Sequence, residues 1–383
     1  MCDEVVKLSG NLLINTKRIK RLITKYPLLT LALSLSLSLP LPANAASTND
    51  LLSKAFLPEQ VHAVSTIPAN GDLNPYGVAF VPERFPRAAI KAGDILVSNF
   101  NNNQNLQGTG STIVGISSNG SSRVFFQGSG FLGLTSALNV LRKGLVLVGN
   151  FPSTDGTCTN AQNGSILVIN NKGELVQTLL DPDFINGPWD STIVDNGRNA
   201  ILFIANGLTG TVVRFKLAVG TNSVTVVDKA QIASGYQHQC DPVSFVDAPA
   251  GLVYDQKKDV LYVSSTMDNA IYSIPHAKST KNDNGPGTEI FANTKYLHGA
   301  LAMTMAPNGD LIVSNNDAIN PDPKHPSLLT EFRPSGKFVK AITVDTNPGG
   351  AFGLNIEEGD QYNRLAAVDD NQNLLLIWKL PKS

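Results

Sequence analysis

The stretch Ala300–Ile342, ALAMTMAPNGDLIVSNND…PSLLTEFRPSGKFVKAI, reads as four short strands with turns between them. Ala300–Ala306 is small and apolar, Pro307-Asn308-Gly309-Asp310 is a turn, and Leu311–Ser314 is a β-rich run closed by Asn315. A long polar loop follows. Ser327–Phe332 is then a third strand, and Pro334-Ser335-Gly336 turns it into Phe338–Ile342, where apolar and polar residues roughly alternate. Four strands with one apolar face do not make a stable body, so copies of the unit are required.

Six copies are present, anchored on the second strand. These strands read DILVSN to Asn99, VLVGN to Asn150, LFIAN to Asn206, LYVSS to Ser265, LIVSN to Asn315 and AAVDD to Asp370. The anchors recur at about 50–60 residues, slightly more than one propeller blade needs, and the surplus falls in loops. Each is preceded by a strand of small residues, starting at Tyr76, Ser136, Asp190, Ala250, Leu301 and Phe352. Small side chains belong on innermost strands that converge on an axis. The pattern predicts an all-β fold, a six-bladed β-propeller over 61–383. The sixth unit stops after its third strand, Leu374–Trp378, and Val61–Ile67 has no place in the first blade. The N-terminal strand is therefore expected to complete the last blade and close the ring.

Composition agrees. Charged residues are 16% and hydrophobic residues 42% of 383, with 32 Gly and 22 Pro, as suits a turn-rich β protein. No basic cluster in the repeats has the size a nucleic-acid partner needs. At the N-terminus, Lys17, Arg18, Lys20, Arg21 and Lys25 precede the apolar run Leu28–Leu41, and Pro42-Ala43-Asn44-Ala45 offers a small-x-small cleavage site before Ala46. Residues 1–45 read as a signal peptide and 46–60 as a polar lead-in. The competing reading is a membrane anchor, although the run falls short of the ~20 residues of a span. Signal removal leaves a secreted or periplasmic monomer with no membrane span. It also leaves two cysteines, Cys158 and Cys240. In a propeller the loops between second and third strands and those between blades open on one face. These two cysteines share that face, as a disulfide or as separate thiols.

The unit PxG(V/L)xx(D/P)…G(D/N)(L/I)xVSNxx…I…F…SG, best kept in Tyr76–Asn99, Ala250–Ser265 and Leu301–Gly336, resembles the NHL repeat. The ring is similar to SMP-30/gluconolactonase-like propellers. That resemblance implies a channel metal held by a Glu, two Asn and an Asp. Asn139 and Asn355 are the inner-strand amides that match, and the Glu is missing.

The longest loops, Phe100–Gly110, Phe151–Gly164 and Asn316–Pro326, crowd one face and place the ligand site at its channel mouth. Candidate ligand-binding residues there are Tyr76, Asn99, Asn150, Trp189, Asp190, Asn206, His298 and Asn315, with His238, Asp241, His325 and Phe352 also converging. Tyr76 and Trp189 could stack on a ligand or pack the rim. The Asn anchors could hold Ca²⁺ or another divalent cation, or could cap their own turns. His298, oriented by Asp190, could be a general base or an ordinary loop histidine. No cofactor is assigned. Two readings follow: an exported propeller binding a small molecule, glycan or protein at the loop-rich face, or a divalent-metal-dependent hydrolase or lyase of the SMP-30/gluconolactonase-like kind with a remodelled site.

Overall fold

A computed structural model of the chain describes residues 62–292, 294–316 and 326–382. The signal and lead-in segments, Val61 and His325 lie outside these residues. Six four-stranded antiparallel sheets form the blades. The innermost strands are Leu73–Phe80, Leu134–Leu141, Pro188–Asp195, Pro249–Asp255, Ala300–Met305 and Ala351–Glu358, each followed outward by the next strands in chain order. Blade 6 takes its fourth strand, His62–Ser65, from the beginning of the described chain, pairing His62 with Ile377 through to Ser65 with Leu374. The predicted closure is present, and Thr66 extends it through its N–H to the Asn373 carbonyl at 3.0 Å.

The need for small residues near the axis is visible at two glycines. A Cβ on Gly353 would overlap the carbonyl oxygen of Tyr76 in blade 1, and one on Gly251 would overlap the Leu301 backbone in blade 5. Between neighbouring sheets, apolar residues of facing strands interlock, as in the group Leu96, Ile113, Phe126, Leu138, Val146 and Leu167 of blades 1 and 2. Fully burying each such side chain stabilises by about 1.5–3 kcal/mol. Hydroxyls also stitch blades together: Thr135 Oγ1 donates to the Pro188 carbonyl at 2.7 Å, and Thr266 Oγ1 to the Ala300 carbonyl at 2.8 Å.

One element belongs to no blade. Gln239–Asp241 pairs with Phe245–Asp247 as a separate hairpin between blades 3 and 4. Cys240 on this hairpin is bonded to Cys158 in the second-to-third-strand loop of blade 2, with Cα atoms 5.3 Å apart. Of the two thiol readings, the disulfide is the one found.

Candidate functional site

The anchor asparagines act on the backbone. Asn150 Oδ1 accepts from Gly133 N at 2.9 Å, Asn206 Oδ1 from Asn186 N at 3.0 Å, and Asn315 Oδ1 from His298 N at 3.0 Å. Each donor sits just before the innermost strand of the same blade. The amide nitrogens are also used: Asn150 Nδ2 donates to Ser165 Oγ at 3.3 Å, Asn206 Nδ2 to the Phe184 carbonyl at 2.9 Å, and Asn315 Nδ2 to Thr330 Oγ1. Asn99 Nδ2 reaches the Thr66 carbonyl at 3.2 Å. All four are buried, so the recurring Asn holds the lead-in loop of its blade against the second strand. In blade 6 the equivalent position, set by pairing with Ala351 as Asn315 pairs with Ala300, is Asp369. The sixth anchor is thus one residue earlier than the Asp370 read from sequence.

Tyr76 and Trp189, each 1% exposed, lie in a stack of aromatic rings that fills the channel at the loop-rich face. Tyr76 is stacked on Phe352 at 4.4 Å and Phe100 at 4.7 Å between centroids, and meets Trp189 edge-on at 5.4 Å. Phe245, from the disulfide-tied hairpin, is seated on this stack against Phe100 (5.1 Å), Phe151 (5.3 Å) and Trp189 (6.2 Å). Its φ is +68°, a region a bulky side chain occupies only where surrounding packing enforces it. Burial and the charge of Asp370 push the Tyr76 hydroxyl well above its ordinary range. Nothing in this arrangement presents a ring to a ligand.

Below the stack the channel becomes polar. A chamber of about 70 Å³ is walled by all six innermost strands, with Ser136, Asn139, Asp190, Ser191, Thr304 and Asn355 as principal polar lining residues. Asp190 is the one carboxylate of the lining. It lies within the strand Pro188–Asp195, beyond a register shift between Pro188 and Asp190. Desolvation raises its pKa well above the ordinary carboxylate range, against the opposing pull of the Ser191 and Leu252 backbone N–H groups. Asp190 Oδ1 accepts from Ser191 N at 2.7 Å. Asn139 Nδ2 donates to Ser191 Oγ at 2.6 Å, and Asn355 Nδ2 to the Val78 carbonyl at 3.1 Å.

His298 is buried in the lead-in to blade 5, where its backbone N–H donates to Asn315 Oδ1. His238 is exposed with Nδ1 3.1 Å from the Tyr236 carbonyl, and Asp241 caps the hairpin turn at Val243 N and Ser244 N.

Asn355 also lines a basin of about 770 Å³ on the opposite face, formed from blades 1, 2 and 6 by Phe80, Glu83, Arg84, Arg142, Glu357 and Glu358 among others. Glu357 is neutralised there by Arg364, whose Nε lies 2.8 Å from Oε2. Among the described residues, aromatic rings pack together at the loop-rich face and the basin lies on the other. The ring seated on the stack, Phe245, comes from an excursion outside the repeat.

No family model matches this chain, and no curated protein matches it either. Among solved structures it is similar to a gluconolactonase from Xanthomonas campestris, with TM-score 0.51 and 13% identity, over 84% of this chain and 90% of that one. It is also similar to a putative oxidoreductase (glucose dehydrogenase) from Thermus thermophilus, with TM-score 0.51 and 11% identity, over 83% and 100%. The chain is a six-bladed β-propeller, and gluconolactonase-like proteins are among its neighbours by fold. At this identity the likeness is one of architecture.

Proposed function

We propose that the protein is an exported propeller that binds a small, hydroxyl-rich molecule, such as a sugar or polyol, in its central channel. The ligand would enter from the face opposite the long loops. The observation that carries this reading is the polar chamber itself, with a single buried carboxylate among hydroxyls and amides, next to a basin with which it shares Asn355. Hydroxyl and amide groups can each donate and accept, which suits vicinal hydroxyls, and the buried Asp190 carboxyl adds one more hydrogen-bonding group. The chamber admits the tip of such a ligand, while the basin has room for its body. A disulfide between Cys158 and Cys240 supports an oxidising compartment.

The gluconolactonase-like neighbours favour a second reading, metal-dependent hydrolysis, and the donor set tests it. Asn139, Asp190 and Asn355 do line the chamber, but Asp190 is the only carboxylate among them. Asn355 Oδ1 already accepts from Ile356 N at 2.8 Å. Among the described residues no group of three or more His, Cys, Asp or Glu side chains is placed to hold a metal ion. Hard divalent cations favour six or more oxygens with several carboxylates, so these residues fit a resident cation poorly and no hydrolytic step is derived through one.

Titration calorimetry with a panel of monosaccharides and polyols tests the proposal. At least one should bind saturably, and Asp190→Asn should weaken it by up to about tenfold, the worth of a hydrogen bond between neutral groups. Two results would overturn it. One is that no polyol binds. The other is that purified protein carries a stoichiometric divalent cation that Asp190→Asn releases, together with cation-dependent opening of a sugar lactone.

A further inference from the structure

On the same face as the basin, but outside the channel, blade 1 carries a separate cavity of about 400 Å³ between two of its turns. One wall is the segment Arg87–Lys91 and the other is the turn Ser117–Ser121, with Arg123 at its base. Three cationic side chains line it and no carboxylate does. The chain as a whole has a formal net charge of −1, so this concentration of positive charge is local.

The site is built rather than incidental. Arg123 is fixed from behind: its Nε donates to the Ala89 carbonyl at 3.0 Å, and Nη2 pairs with Asp94, whose side chain is fully buried. The segment bearing Arg87 and Lys91 is pinned by the buried Ile90 and clamped to blade 2, where Ala89 N donates to the Asn171 carbonyl at 3.0 Å and Asn171 Nδ2 to the Pro86 carbonyl at 2.9 Å. Across the groove, Asn119 Oδ1 orders the serine turn by accepting from Ser121 N at 3.1 Å and Ser121 Oγ at 2.9 Å. Asp94 offsets one positive charge. Arg87 and Lys91 are exposed, and among the described residues neither has an ion-pair partner. Two uncompensated cations thus face a row of hydroxyls across a rigid cleft.

We propose that this groove is a second binding site, taking a tetrahedral oxoanion group, a phosphate or sulfate ester. Arg87 supplies a planar fork of donors and Lys91 a point charge, while the Ser118 hydroxyl donates to a remaining oxygen. The two surplus positive charges match a group carrying one or two negative ones. The site shares no lining residue with the chamber, so it stands or falls independently of the channel ligand.

The test is calorimetric titration of the full chain with inorganic phosphate and, separately, inorganic sulfate at low ionic strength, with sodium chloride as control. Saturable binding of at least one oxoanion is expected, at least tenfold weaker in Arg87→Gln/Lys91→Gln and unchanged in Lys337→Gln. Both variants alter exposed side chains and should melt with the parent protein. Tighter binding of phosphate names a phosphate ester, and tighter binding of sulfate a sulfate ester. No saturable binding of either anion, or binding that survives the double substitution, overturns the proposal.

Discussion

Replacing Phe245 by alanine tests whether the hairpin stoppers the ring. The side chain is 1% exposed and touches three other aromatic rings at centroid distances of 5.1, 5.3 and 6.2 Å. Removing a buried phenyl costs about 3–5 kcal/mol. The cage here is made of Phe100, Phe151 and Trp189, large rings held by separate blades, so it relaxes little and the upper half of that range is expected. The backbone adds a second, sharper expectation. At φ +68° an alanine retains the left-handed penalty of roughly 1–2 kcal/mol, which glycine escapes. Phe245→Gly should therefore be no less stable than Phe245→Ala, the reverse of the usual order in a strand. Urea unfolding of the oxidised protein, followed by the fluorescence of Trp189 and Trp378 with near-ultraviolet circular dichroism, gives both numbers. The reasoning fails if Phe245→Ala lies within about 1 kcal/mol of the parent, or if glycine is clearly the worse of the two.

Asp369 gives a pH signature. Burial first, and then the neighbouring charge of Asp345, push its pKa up to about 6, from an ordinary value near 3.8. The folded state thus holds the proton more tightly than the unfolded chain. Its stabilising effect is complete below about pH 4, declines as pH rises to about 6, and is absent above. Asp369→Asn should flatten that decline, gaining about 2 kcal/mol relative to the parent between pH 4 and pH 7 in parallel melts, and an unchanged slope would refute the assignment. Reduction of the Cys158–Cys240 bond, which spans 82 residues, should lower stability by roughly 4 kcal/mol in the chain-entropy treatment while far-ultraviolet dichroism of the blades persists. An unmoved urea midpoint after confirmed alkylation of both thiols would contradict it.

The ring was legible because its logic is local and repeated. A β-rich run ending in Asn, Ser or Asp, preceded by a strand of small residues, is written six times, and the missing strand at one end matches the surplus strand at the other. The disulfide was legible because loop topology assigns faces. The channel was harder to read. Tyr76 and Trp189 carry the same pattern whether they stack on a ligand or on Phe352 and Phe245, and nothing near residue 245 announces where its ring will land. Asp190 reads as the entry to its strand because a register irregularity displaces it by one position. The anchor asparagines had both readings open, and backbone hydrogen-bond partners 17 to 33 residues away in sequence favour the backbone.

The seam of blade 6 has a consequence for biosynthesis. The Thr66 hydroxyl meets the Asn373 carbonyl across 307 positions of sequence, so a ribosome can deliver five sheets in succession while the sixth stays incomplete. Contacts so distant along the chain form slowly. Until they do, Leu374–Pro381 offers an open β-edge to any passing strand. Pairing of His62–Ser65 with Leu374–Ile377 is what covers that edge.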